Sequence, residues 1–224
     1  MKGESRGWDV LNAVGQLIVA SIIWGICCLP VFTIGPACTA LYYSTVKVVR
    51  RGRGTVWGEF FRSFKQNFWQ GVILNLCFLA ATALVALIAL PHLSALRQTG
   101  EVGGMLYVCF GLVLLYIWLV PYVYPVLSRF AYNNLDVLKY SLYIGVKHFG
   151  KTLLLMIMLA AMAVLAVSNG ALLIFLPGAY CFAASLLLEP LFKEASKPDD
   201  EGNYDMWYGE IHDAPETDDS SDGE

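Results

Sequence analysis

Residues 29–68 read LPVFTIGPACTALYYSTVKVVRRGRGTVWGEFFRSFKQNF, and this stretch decides the fold. An uncharged segment ends at Leu29-Pro30, followed by Thr33, Gly35 and Pro36. A short arm runs from Ala37 to Val49. A turn carrying Arg50, Arg51 and Arg53 then leads into an aromatic stripe. Trp57, Phe60, Phe61, Phe64 and Phe68 fall at i, i+3, i+4, i+7 and i+11, which is one face of a helix, with Glu59, Arg62 and Lys65 off that face. A charge-free run that gives way to a basic helix with one aromatic face is the pattern of a membrane span meeting its interface.

The rest of the chain agrees. Hydrophobic residues make up 57% of it and charged residues only 15%, where a soluble domain carries about 25% charged. Residues 10–32, 71–90, 102–127 and 152–188 contain no Asp, Glu, Lys or Arg. A bilayer core takes about 20 apolar residues as helix. The first three runs each suit one span. The fourth is too long for one and divides at Ser168-Asn169-Gly170, a turn-forming tripeptide. The expected fold is therefore all-α: a polytopic membrane helical bundle of about five transmembrane helices. The first run is longer than a signal peptide's apolar core and no A-x-A site follows it, so it is expected to be retained as a span.

Charge divides the chain unevenly. Residues 1–192, the expected transmembrane domain, hold 13 basic and 6 acidic residues, whereas residues 193–224 hold 2 and 12. That second part reads as an acidic, solvated cytoplasmic tail. Two loops are basic, Lys47 to Lys65 and Arg129 to Lys151. The positive-inside rule puts both in the cytoplasm, with the N-terminus outside and the C-terminus inside. Arg-Gly-Arg-Gly at 51–54 lacks the spacing and the Lys-Ser/Thr ending of a phosphate loop, so it reads as topogenic charge and no nucleic-acid partner is expected.

The second basic loop repeats the pattern of the first. Leu135, Leu138, Leu142, Val146 and Phe149 form an apolar stripe, with Asn133 and Asp136 as a capping pair at its start. Two cytoplasmic amphipathic helices are thus expected to lie at the interface, apolar side toward lipid or toward the bundle, each leading into a span. Pro121 and Pro125 stand before the second as Pro30 and Pro36 stand before the first, and all four are expected to bend or end a helix. The recurrence reads either as an internal duplication or as coincidence in low-complexity apolar sequence.

Catalytic patterns are missing. No acid, base or His lies deep in a charge-free run, where it would mark an ion path. His92, His148 and His212 are scattered across loops and tail. All six cysteines lie in apolar segments without a C-x-x-C pair, and read as small packing residues. Gln16 and Asn75 read as interhelical hydrogen-bonding groups or, alternatively, as a site for sugar hydroxyls. Glu189 reads as an interfacial anchor. No enzyme activity, cofactor or metal is expected.

Leu29-Pro-Val-x-Thr-Ile-Gly-Pro-Ala-x-x-Ala-Leu-Tyr-Tyr43 resembles the YesL family of bacterial membrane proteins. Phe60-Phe61-x-x-Phe64-Lys65-x-Asn67-Phe68 and Tyr122-x-Tyr124-Pro125-x-Leu127-x-Arg129-Phe130 add to the likeness, which covers roughly residues 8–192. Members of that family tend to be encoded beside carbohydrate ABC importers. The resemblance implies a cytoplasmic-membrane protein near sugar uptake and supplies no catalytic residue. The expected function is an accessory or assembly subunit of a carbohydrate ABC importer, with the importer's permease subunits and membrane lipid as partners. In that reading Trp57, Phe60, Phe61, Phe64 and Phe68 dock the partner. The alternatives are a small oligomeric transporter or channel, with a site at the segments broken by Pro30, Thr33, Gly35, Pro36, Pro121 and Pro125, and a membrane sensor or scaffold.

Overall fold

Pro30 ends the first helix. It has no N–H to donate, and its extended backbone (φ −76°, ψ 121°) turns the chain away from α1, Lys2–Cys27. The Thr33 hydroxyl closes the corner from 2.6 Å, within reach of the carbonyls of both Cys27 and Pro30. Asn75 of a later helix donates to the Val31 carbonyl at 2.8 Å. In this way a break that leaves several carbonyls orphaned is resupplied from side chains. The computed structural model describes residues 2–99, 103–130 and 132–195. All but the first few residues of the acidic tail lie outside that range.

After a short 3₁₀ turn, α2 runs Ile34–Ser44 and widens into a π-helical turn, Thr45–Arg50. Gly52, at φ 66°, ends it in the left-handed conformation that glycine adopts without cost. Its N–H reaches the Val48 carbonyl at 2.9 Å, and that of Arg53 reaches Lys47 at 3.1 Å. The amphipathic helix α3, Val56–Gln66, is capped by the Thr55 hydroxyl, which accepts from Gly58 N. One residue, Asn67, joins it to α4, Phe68–Thr99. The chain continues through α5 (Gly104–Arg129), α6 (Asn134–Lys147), α7 (Phe149–Ser168) and α8 (Leu176–Ala195). A single residue, His148, joins α6 to α7, so both amphipathic helices enter a long apolar helix through the same kind of corner. Asn133 flanks α6 without a side-chain capping bond.

The protein is an all-helical membrane protein. Three helices are long and apolar enough to cross a bilayer, over Phe68–Ser94, Gly104–Arg129 and Phe149–Ser168, and Leu11–Cys27 is a shorter apolar helix. The fourth charge-free run divides where expected: α7 stops at Ser168, and Asn169 caps the next turn through Ala171 N. That 3₁₀ turn leads into α8, which carries Glu189 and Lys193.

The core lies at the end of the molecule where the basic segments meet. The helix α2 is enclosed there by α1, α3, α4, α5 and α8. Its crossing with α4 depends on two glycines: a β-carbon on Gly35 would run into the Gly71 carbonyl, and one on Gly71 would sit 2.7 Å from Pro36 N. Tyr122 of α5, Thr152 of α7 and the Gly145 carbonyl of α6 form a hydrogen-bonded chain with steps of 2.6 and 2.8 Å. At the opposite end α4, α5 and α7 carry outward Leu87, Phe110 and Val164, and the chain itself buries only 17%, 22% and 11% of their most apolar stretches.

Two expectations need correction. Pro121 and Pro125 do not end a helix, because α5 is continuous through both. A proline in an apolar helix removes one donor and frees one carbonyl, and packed neighbours with local hydroxyls tolerate this. Here both prolines are buried, and Ser128 donates to the Pro125 carbonyl at 2.7 Å. The aromatic stripe, which runs through α3 to the first residue of α4, also turns largely inward. Phe60 is fully buried, Phe61, Phe64 and Phe68 are half-buried, and only Trp57, 63% exposed, faces out. By contrast α6 directs Leu135, Leu142 and Val146 outward, with Leu138 against the core, and Phe149 at the start of α7 also faces outward.

Candidate functional site

Two features share the packed end: a buried charge cluster and, beside it, a cavity. Arg129 is the last residue of α5 and is completely buried. Its Nη2 donates to Glu189 Oε2 on α8 at 2.8 Å. Arg51, from the turn after α2, donates to the same oxygen at 3.1 Å, and the Tyr42 hydroxyl lies 3.4 Å from Glu189 Oε1. Arg50 donates to the Ser185 carbonyl, one turn earlier on α8, at 2.6 Å. The rings of Phe130 and Phe192, close to the pair in sequence, meet edge to face at 5.7 Å. The carboxylate is therefore held by two guanidiniums and a phenol drawn from three separate segments. The side chains of Arg129 and Glu189 are 0% and 7% exposed, so loss of either partner would leave the other as an uncompensated buried charge.

Lys47 and Glu59 form a second, shallower pair at 3.1 Å, and Tyr43 accepts from Lys47 at 3.2 Å. Burial would lower the pKa of Lys47, but the hydrogen bonds to Tyr43 and Glu59 outweigh it and the net shift is upward. This pair locks α3 against the turn that follows α2.

The cavity measures about 130 Å³ and lies among α1, α2, α5, α7 and α8. Its wall is made of Trp24, Cys38, Leu41, Tyr42, Val120, Pro121, Tyr124, Pro125, Leu159, Met162, Pro177, Tyr180, Cys181 and Ala184. Two of the polar groups on that wall are engaged: Tyr42 with Glu189, and Trp24 Nε1 with the Cys38 sulfur at 3.4 Å. The Tyr180 hydroxyl is buried without a hydrogen-bond partner. Such a wall suits an apolar guest. A monosaccharide would strand several hydroxyls there, at roughly 1–3 kcal/mol each.

The structure sorts the residues singled out in the sequence. Pro121 and Pro125 line the cavity, and Tyr42 of α2 joins it to the charge cluster. Pro30, Thr33, Gly35 and Pro36 form the corner between α1 and α2 and the crossing with α4, away from that wall. Trp57, Phe60, Phe61, Phe64 and Phe68 do not come together as one outward surface. Asn75 is committed to the Val31 carbonyl. All six cysteines are free, and among the described residues no group of three or more His, Cys, Asp or Glu side chains is placed to hold a metal.

Sequence reasoning misses the charge cluster. It reads Arg129 as topogenic and Glu189 as an interfacial anchor, although the structure buries both. One signal is present: Glu189 is the only acid between Asp136 and Glu194, and it follows a long charge-free run.

Residues 17–88 match the model of a family described as a protein of unknown function, DUF624. The match begins within α1 and ends within α4, so it includes the Gly35–Gly71 crossing and leaves out Arg129 and Glu189. No curated protein and no solved structure matches the chain.

Proposed function

We propose that this is a non-enzymatic integral protein of the cytoplasmic membrane, of YesL type, acting as an accessory or assembly subunit of a carbohydrate ABC importer. The YesL family carries the DUF624 region, which supports the resemblance carried by the Leu29–Tyr43 motif. One observation favours a subunit over a free-standing transporter. The packed end is tied together by ion pairs, whereas α4, α5 and α7 project apolar surface that the chain leaves largely uncovered. Helices of that kind associate sideways with other membrane helices through packing. The apolar cavity wall also argues against passage of sugar.

In this reading the basic segments face the cytoplasm and the N-terminus faces outward. Partner contact runs through the outward sides of α4, α5 and α7, and Trp57 is the one aromatic residue of α3 free to join it. The test is purification of the tagged protein in mild detergent from cells grown on plant polysaccharide, with mass spectrometry of what accompanies it. Stoichiometric permease subunits support the reading. Recovery of the protein alone as a defined oligomer overturns it in favour of a small oligomeric transporter, which solute flux into proteoliposomes would then check. Thiol labelling of single cysteines placed at Arg53 and at Gly103 tests the orientation: only the former is expected to be protected in intact cells.

A further inference from the structure

We propose that the acidic segment 196–224 docks on the exposed basic surface formed by the turn after α2 and by α3, within the same chain. The inference does not depend on the importer reading. Charge is the first observation that carries it. The segments that meet at the packed end, residues 47–65, 129–151 and 189–195, hold 11 basic and 4 acidic residues, whereas residues 196–224 hold 1 and 11. The acids of the packed end are already committed: Glu189 to Arg129 and Arg51, Glu59 to Lys47. Arg53, Arg62 and Lys65 are exposed, and neither Arg53 nor Lys65 has an acidic partner among the described residues. This face therefore carries positive charge that the packed end itself does not balance.

Place is the second observation. The helix α8 ends at Ala195, six residues beyond Glu189, which is about 9 Å of helix. Glu189 itself holds Arg51 at 3.1 Å, so the acidic segment leaves the fold beside the basic turn. Asp199, four residues on, reaches about 14 Å from that point, and the 29 residues together reach at most about 100 Å, which takes in the turn and α3. The tether makes the contact intramolecular and raises the effective concentration of the acids at this face. Each surface ion pair is weak, so the contact uses several at once and weakens with salt. Its consequence is a screen: the covered face is withheld from anionic lipid headgroups, which juxtamembrane basic segments otherwise attract.

The test is zero-length carbodiimide coupling of lysine amines to carboxylates in the full chain, held in an uncharged detergent, with the joined peptides read by mass spectrometry. Lys65 is expected to couple to acids of the segment 199–224, with a yield that falls at high salt. In a mixture of isotope-labelled and unlabelled chains the links should stay within one chain; mixed links would overturn the intramolecular contact. Arg53→Gln with Arg62→Gln leaves Lys65 in place and is expected to lower its coupling by about three- to tenfold, the value of two surface pairs, with Lys139 on α6 unchanged. Equal coupling of Lys65 in this variant and the wild type would mean that the tether alone brings the groups together, and would overturn the proposal. Asp199→Asn, Asp200→Asn and Glu201→Gln together carry the same comparison if that variant does not fold: coupling of Lys65 to the later acids is then expected to fall. The wild-type link is also expected in nanodiscs of phosphatidylcholine and in nanodiscs rich in phosphatidylglycerol. Its loss in the second would assign the face to anionic headgroups and overturn the proposal.

Discussion

Removing the Glu189 carboxylate is the sharpest test of the packed end. Glu189→Leu keeps the approximate volume and helix propensity of position 189 but takes away the counter-charge of a fully buried arginine 2.8 Å distant. Breaking a buried pair by deleting one partner costs about 3–5 kcal/mol. Arg51 donates to the same oxygen at 3.1 Å, but its side chain is 25% exposed against 0% for Arg129. Water can compensate its loss, so Arg51→Ala is expected to cost about 1 kcal/mol or less. The double replacement Arg129→Met with Glu189→Leu removes both charges and should recover much of the stability lost in Glu189→Leu, since apolar substitutes for a buried pair are often neutral. The assay is reversible unfolding by denaturing detergent, run as a double-mutant cycle. Two results would refute the reasoning: Glu189→Leu within about 0.5 kcal/mol of wild type, or a double variant less stable than Glu189→Leu alone.

The remaining tests address other joints of the fold. Gly71→Ala places a β-carbon 2.7 Å from Pro36 N and is expected to destabilise by about 1–3 kcal/mol, measured by the same unfolding assay; a neutral result would mean that α2 and α4 can separate freely. Phe60→Asp buries a carboxylate in the core and should abolish folded expression, whereas Trp57→Ala, at an exposed site, should stay within about 0.5 kcal/mol of wild type. Size-exclusion profiles of the two variants decide whether the stripe serves the core or a partner. Glu59→Gln is expected to cost about 1–2 kcal/mol. Because the pKa of Lys47 is raised above its ordinary value of 10.5, the pair's contribution is complete below that value and is lost only as pH rises through the higher folded pKa. The gap between wild type and Glu59→Gln should therefore be the same at pH 7 and pH 9; a gap that closes by pH 9 would count against the assignment.

How much of this is legible in the sequence depends on the range of the interaction. Charge-free runs announce the long helices, because a bilayer imposes a length on them, and the division after Ser168 follows from its turn residues. The helices α3 and α6 are legible from their 3.6-residue period, but their facing is not. Periodicity shows that one side of a helix is apolar, not whether protein or lipid covers it, so Phe60 goes to the core and Leu142 outward. Pro121 and Pro125 mislead because proline's cost is set by what surrounds the freed carbonyl. The pairing of Arg129 with Glu189 spans 60 residues, and no local pattern announces it.

That long-range pairing bears on how the two stretches of similar design relate. Each has a helix with a basic end, an amphipathic helix, a one-residue corner and a long apolar helix: α2 to α4 in one case, α5 to α7 in the other. The matched family region covers most of the first and stops before the second. The basic ends, at Arg51 and Arg129, meet on one carboxylate supplied by α8, an element outside both stretches. Two positive helix ends brought together without that acid would repel in low-dielectric surroundings. Glu189 thus neutralises the two guanidiniums where the stretches meet, and in that sense α8 acts as their clasp. Truncating the chain before α8 should leave the long apolar helices α4, α5 and α7 able to insert but unable to form the packed end, which increased accessibility of Cys38 to a thiol reagent would report; a Cys38 as protected as in the full chain would refute the clasp.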